Sequence, residues 1–334
     1  MLKLLIIYFL LGGTMNKKDK IKVFSFAAGA LTASALAYIG NYFYNYAINK
    51  KISGPKDEMK AEALDLNENI DIPHEVILGD MHWLKYKSNY ENVTIKSFDN
   101  LTLHAYKILN PSKTDNWVIT IHGYNSDGAE MTNYAKKFYE EGYNVLIPDL
   151  RAHGYSEGNY IGMGWHDRLD IIKWINFIIK ENSNAKIILH GVSMGAATAC
   201  MVSGEELPSN VKVIIADCGY SSVWEEFTYQ LKQKFKLPNF PFLHAASVVT
   251  RIRAGYNLKR ASVINQVAKS KTPILFIHGD KDDFVPYEMM DKLYNAAKCP
   301  KEKITIAGAD HAKCVVQDPD TYWNSIRDFI EKHA

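Results

Sequence analysis

Ala185-Lys186-Ile187-Ile188-Leu189-His190-Gly191-Val192-Ser193-Met194-Gly195-Ala196-Ala197-Thr198-Ala199-Cys200-Met201-Val202 is the stretch that decides the fold. Its first six residues form a short, mostly apolar run with strand character, and its last seven are small and helix-permissive. Between them stands G-x-S-x-G, the sharp strand-to-helix turn that lifts a serine hydroxyl above a parallel sheet. A side chain at Gly191 or Gly195 would collide with neighbouring backbone, so both positions call for glycine. An ordinary turn carrying an incidental serine is the competing account. It leaves the rest of the chain unexplained.

A nucleophilic serine needs a base, an orienting carboxylate and an oxyanion hole. Behind such a turn the partners follow in the order serine, acid, histidine, each on a loop at the carboxyl end of a strand. The apolar run Pro273-Ile274-Leu275-Phe276-Ile277 leads into His278-Gly279-Asp280-Lys281-Asp282-Asp283-Phe284-Val285-Pro286, with a helical pattern from about Tyr287. Residue chemistry alone leaves Asp280, Asp282 and Asp283 open as the acid, and Asp217, ending the preceding strand, is a further alternative. Lys303-Ile304-Thr305-Ile306 runs into Ala307-Gly308-Ala309-Asp310-His311, followed by a last helix from about Pro319. Of the 11 histidines, His311 has the order and the loop a base requires. The oxyanion hole calls for the amide after the nucleophile, Met194, and a second from the loop after an earlier strand. That strand is Trp117-Val118-Ile119-Thr120-Ile121, and the loop His122-Gly123-Tyr124-Asn125-Ser126 offers the Tyr124 amide.

Together with Asp149-Leu150-Arg151-Ala152-His153-Gly154-Tyr155-Ser156, these motifs make the chain resemble the α/β-hydrolase superfamily over about residues 75 to 334. The nearest resemblance is to membrane-anchored, prolyl-oligopeptidase-like serine hydrolases of Gram-positive bacteria. It implies an α/β fold with a mostly parallel central sheet, helices on both faces and a small helical lid. It also implies Ser193 as nucleophile and His311 as base. The family pattern H-G-x-x-D-x-x-V-P places the acid on Asp282. Ala152 departs from the glycine common in D-x-R-G-H-G, a small change.

The expected reaction is hydrolysis of an acyl bond, a carboxylic ester first, with a peptidase as the alternative. Peptidases of that type usually carry a propeller, and residues 51 to 116 are too few for one. A non-catalytic binding protein on this fold would be expected to lose a member of the triad, and none is missing. An aspartate at position 193, the mark of dehalogenase chemistry, is absent. No phosphate-binding glycine loop or metal-ligand spacing is present, so neither cofactor nor metal is expected. The balance of 39 Lys and Arg against 37 Asp and Glu gives a net charge of +2, which argues against a nucleic-acid partner. The expected partner is a small acyl substrate. Of the four cysteines, Cys200 falls on the helix after Ser193 and reads as a small buried residue.

The amino-terminal fifty residues are of another kind. Ile21 to Ile48 contains no acid and, after Lys22, no base before Lys50, a run longer than the ~20 residues a spanning helix needs. Lys17, Lys18, Lys20 and Lys22 precede it, which puts the amino terminus in the cytoplasm and the catalytic domain outside. Tyr42, Tyr44 and Tyr46 suit the outer interface. The expectation is a cytoplasmic segment over 1–20, an anchor over 21–48, a stalk over 49–74 and a hydrolase domain over 75–334. Met15 reads as a natural start, with residues 1–14 an extension. Within the domain, Asp99-Asn100 signals a hairpin, and about fifty residues, 223–270, interrupt the strand-helix alternation as a lid.

Overall fold

The computed structural model describes residues 17–50 and 82–334; residues 1–14, most of the expected stalk and the first residues of the expected domain lie outside that range. Eight strands form one sheet: β1 (Glu91–Lys96), β2 (Thr102–Ile108), β3 (Asn116–Ile121), β4 (Asn144–Pro148), β5 (Lys186–Val192), β6 (Val211–Asp217), β7 (Ile274–Gly279) and β8 (Lys301–Ile306). Their spatial order is β1-β2-β4-β3-β5-β6-β7-β8. The β1–β2 hairpin turns through Asp99-Asn100 and, with the β2–β4 pair, is antiparallel. Every pair from β4 onward is parallel. The central strands read as unbroken runs of Val, Ile and Leu because both faces of a parallel sheet are covered.

Those faces hold two cores. Ile119, Ile187, Leu189, Ile214 and Phe276 point one way, while Val118, Ile188, Val213, Ile215 and Leu275 point the other. The alternation is the period of two that a strand imposes. The first face is covered by α3 (Asp167–Glu181), α4 (Met194–Val202) and α8 (Glu288–Ala296), and the second by α2 (Thr132–Glu140) and α10 (Pro319–His333). Each fully buried large apolar side chain contributes about 1.5–3 kcal/mol, and Trp174, Phe138 and Phe329 are all sealed from water. A short α9 (Cys314–Gln317) precedes α10. All four cysteines are free and buried.

Three helices stand between β6 and β7: α5 (Val223–Phe235), α6 (Phe242–Ala254) and α7 (Val263–Val267). Ser222 and Ser262 cap α5 and α7 by accepting from the amides of Glu225 and Asn265, which supplies the partner a helix start lacks. Tyr220 and Tyr256 hold the insert down through hydroxyl bonds to the carbonyls of Met163 and Ile161.

The amino-terminal helix α1 (Lys17–Ala47) covers most of the expected span over 21–48. Its last two turns pack on α6. Gly40 allows this, because a Cβ there would lie 2.5 Å from the Ala245 carbonyl oxygen. Of the three tyrosines assigned to an interface, Tyr44 is buried with the Arg253 guanidinium 4.5 Å from its ring centre. Tyr46 sits edge-on to Phe235, and only Tyr42 is largely exposed. Among the described residues no helix is long and apolar enough to cross a membrane. Earlier along α1, Ile21, Phe26 and Leu31 are exposed.

Candidate active site

Because β3, β5, β7 and β8 run parallel, their carboxyl ends share one edge of the sheet. Ser193, between β5 and α4, has φ +56° and ψ −118°, a conformation that costs a non-glycine residue about 1–3 kcal/mol. The surroundings enforce it. A Cβ on Gly195 would lie 1.9 Å from the Ile121 carbonyl oxygen, and one on Gly191 2.2 Å from the Gly195 carbonyl oxygen. The Ser193 amide donates to the Asp217 carbonyl at 2.8 Å, and its own carbonyl accepts from Ala197.

His311, on the loop after β8, places Nε2 2.9 Å from Ser193 Oγ. Its Nδ1 lies 2.7 Å from Asp282 Oδ2. The serine and histidine are 118 residues apart, so only the sheet brings them together. Burial raises the Asp282 pKa, but the neighbouring His311 charge and hydrogen bonds from His278 and His311 outweigh it and hold the carboxyl well below the usual range. Its Oδ1 also accepts from the amides of Phe284 and Val285. The other carboxylates point elsewhere. Asp280 accepts from the Gly308 amide, Asp283 is exposed, and Asp217 is fully buried, its pKa pushed up to about 6 by that burial.

Met194 is the first residue of α4, where an amide has no acceptor within the helix and the dipole favours a developing anion. The Tyr124 loop lies alongside, since a Cβ on Gly123 would come within 3.6 Å of Ser193 Cβ. Two histidines hold that loop. His122 Nε2 accepts from the Leu150 amide at 3.0 Å, which leaves Nδ1 to donate to the Gly123 carbonyl at 2.7 Å. His153 Nε2 lies 2.8 Å from the Tyr124 carbonyl, and burial keeps its pKa well down. The motif after β4 therefore positions the loop. Asp149 ties His104 and the Gly128 amide, while Arg151 forks onto Asp170 and Asp99. The H-G and D-x-R-x-H-G motifs are the sequence signal for this positioning role.

Two features carried no such signal. A cavity of about 100 Å³ opens beside Ser193, and its wall includes Phe43, Tyr46 and Ala47 of α1 together with α5 and α6. Glu226 lines it too, and burial pushes this carboxyl up to about 8, with Gln230 opposing and Asp282 adding to the rise. Its Oε1 accepts from Gln230 at 2.9 Å, while Oε2 has no partner. Cys218, Asp282 and His311 place potential ligand atoms within 4.8 Å of one another. The Asp282 and His311 atoms already bond each other, and burial pushes the Cys218 thiol far above its usual range, whereas a metal takes the thiolate.

The sequence profile of the alpha/beta hydrolase fold matches residues 116–240. The chain is 28% identical to the uncharacterized protein YqkD of Bacillus subtilis (strain 168) over 310 residues, 91% of this chain and 96% of that one. Its fold is similar to the esterase Pf2001 of Pyrococcus furiosus, with TM-score 0.61 and 25% identity over 75% of this chain and 92% of the esterase. It is similar in fold to the acylaminoacyl peptidase of Pyrococcus horikoshii, with TM-score 0.56 and 17% identity over 72% of this chain and 41% of the peptidase. By profile match and by structural similarity the chain has the α/β-hydrolase fold.

Proposed function

We propose that the protein is a serine hydrolase that cleaves a carboxylic ester through an acyl-enzyme. The observation that carries this reading is the unbroken chain of hydrogen bonds from Ser193 through His311 to Asp282. His311, kept in one tautomer by Asp282, takes the Ser193 proton as Oγ attacks the acyl carbonyl. The Met194 and Tyr124 amides stabilise the oxyanion, each worth roughly 3–4 kcal/mol of barrier. His311 then protonates the departing alcohol, and water activated by the same residue releases the acid. The chemistry needs neither cofactor nor metal.

An ester is favoured over a peptide with a free amino terminus by the cavity. Glu226, held near pKa 8, is neutral at pH 7 and offers no anion to a substrate ammonium group, and the remaining lining is mostly apolar. An ethoxy fluorophosphonate should label the wild type at Ser193 and leave Ser193→Ala unlabelled, and p-nitrophenyl esters should outpace dipeptide amides. Equal labelling of the alanine variant would sink the reading.

The exposed apolar residues Ile21, Phe26 and Leu31 further favour attachment of α1 to a membrane, with the four lysines on the cytoplasmic side and residues 223–270 acting as a lid. Cell fractionation should leave the full-length protein in the membrane pellet after a carbonate wash; recovery in the soluble fraction would refute it.

A further inference from the structure

The carboxyl end of α1 is built into the wall of the cavity beside Ser193. Four attachments hold it there. The Ile48 carbonyl accepts from the Ile161 amide at 2.8 Å. Arg253 donates to Asn41 at 2.7 Å from α6. Gly40 brings the α1 backbone against the Ala245 carbonyl. The Tyr124 hydroxyl donates to the Ala47 carbonyl at 2.7 Å, which ties the helix to the loop that borders the serine. Phe43 packs edge-on against Phe235 and Phe242, and Phe43 and Phe235 both line the cavity.

We infer that this cavity holds the acyl chain of the substrate and that α1, through Phe43 and Ala47, sets how long that chain can be. The inference rests on the reading of Ser193 as nucleophile. The occupant is identified by continuity: the cavity begins at Ser193 and Met194 and runs between Phe43, Phe235 and Leu243, where only carbon is well received. The cavity is bounded at Phe43 and Phe235 and its wall is largely apolar, so the class proposed is an unbranched acyl chain of medium length.

The test uses the full-length protein with p-nitrophenyl butyrate, octanoate and palmitate, and a parallel series of ethyl and octyl fluorophosphonates. The wild type should prefer octanoate to both other esters and react faster with the octyl probe. Gly40→Leu, which forces α1 away from α6, should lower the octanoate-to-butyrate ratio of kcat/KM about tenfold, the equivalent of roughly two methylenes left unburied. Phe43→Ala enlarges the wall and should move the optimum toward palmitate, so the inference stays testable if Gly40→Leu does not fold. A wild type that labels readily but shows a flat chain-length profile would overturn this inference and leave the nucleophile reading standing. An unchanged profile in both variants would also overturn it. Failure of every probe to label the wild type would remove the nucleophile reading and this inference with it.

Discussion

The turn at Ser193 and the wall at Phe43 border the same cavity, yet they are built in opposite ways. At the turn, the constraints come from immediate neighbours in the sheet: Gly191 against Gly195, Gly195 against Ile121, and a backbone angle that no other arrangement would tolerate. At the wall, a helix from the amino terminus reaches across the molecule, and the bond from Tyr124 to Ala47 joins residues 77 apart. The turn is rigid because its own backbone leaves no room. The wall is held by a few side-chain bonds and one close helix approach, and is the part expected to yield first. The proposed nucleophile and the proposed chain-length wall thus rest on regions of different stiffness.

The comparison would break most visibly at the carboxylate behind the histidine. Asp282→Asn should lower turnover of p-nitrophenyl butyrate about 10⁴-fold through the wrong histidine tautomer, with Asp217→Asn within about tenfold of wild type. The reverse ranking would place the orienting acid on the neighbouring strand.

The rigidity of the turn can be measured directly. Gly195→Ala drives a methyl into the Ile121 carbonyl and should cost about 3 kcal/mol or more in urea unfolding, as overpacked sites do. A loss under about 1 kcal/mol would show that the turn relaxes as readily as the wall.

Between the two regions lies Glu226, whose folded pKa of about 8 stands above its ordinary 4.5 because of burial, with Gln230, Asp282 and Lys234 facing it. The folded state keeps the proton across that window while the unfolded state releases it, so stability falls as pH rises from about 4.5 toward 8. Glu226→Gln removes the dependence. Its stability advantage over the wild type should grow by roughly 3 kcal/mol between pH 5 and pH 8, read by urea unfolding at each pH. A constant offset across that range would mean that the carboxyl is ionised throughout.

Ala152 gives the smallest effect. Its φ of +63° is strained for alanine by roughly 1–2 kcal/mol, but glycine would lose a buried methyl and gain unfolded-state freedom of similar size. Ala152→Gly should therefore change stability by no more than about 0.5 kcal/mol, read by the same urea titration. A larger gain would show that this loop, like the turn at Ser193, stores backbone strain.

Much of the fold was legible because its signals are local. Glycine at 191 and 195, apolar runs of strand length and loops after each of them point to a parallel sheet with Ser193, His311 and the carboxylates after β7 on one edge. The order of those loops along the chain carries over to space, since parallel strands put every carboxyl end on the same side. The amino-terminal apolar run was legible as a helix as well, but its partner was not: hydropathy reports that a surface avoids water and does not say whether lipid or protein covers it.

Contacts between distant segments account for the rest. Three carboxylates in four residues are chemically alike; the family pattern points to Asp282, and their separate directions after β7 supply the physical reason by bringing Asp282 alone onto His311. Glu226 looks like any helical glutamate until α5 turns it into an apolar cavity, where desolvation raises its pKa. Gly40 reads as one small residue in a helix until the Ala245 carbonyl lies against it. The elements, their order and the chemistry available at the sheet edge are written locally in the chain, because backbone sterics and hydrophobic periodicity act between near neighbours. The cavity, its α1 wall and the ionisation of its single carboxyl were settled by contacts between distant segments, where burial depends on what else arrives.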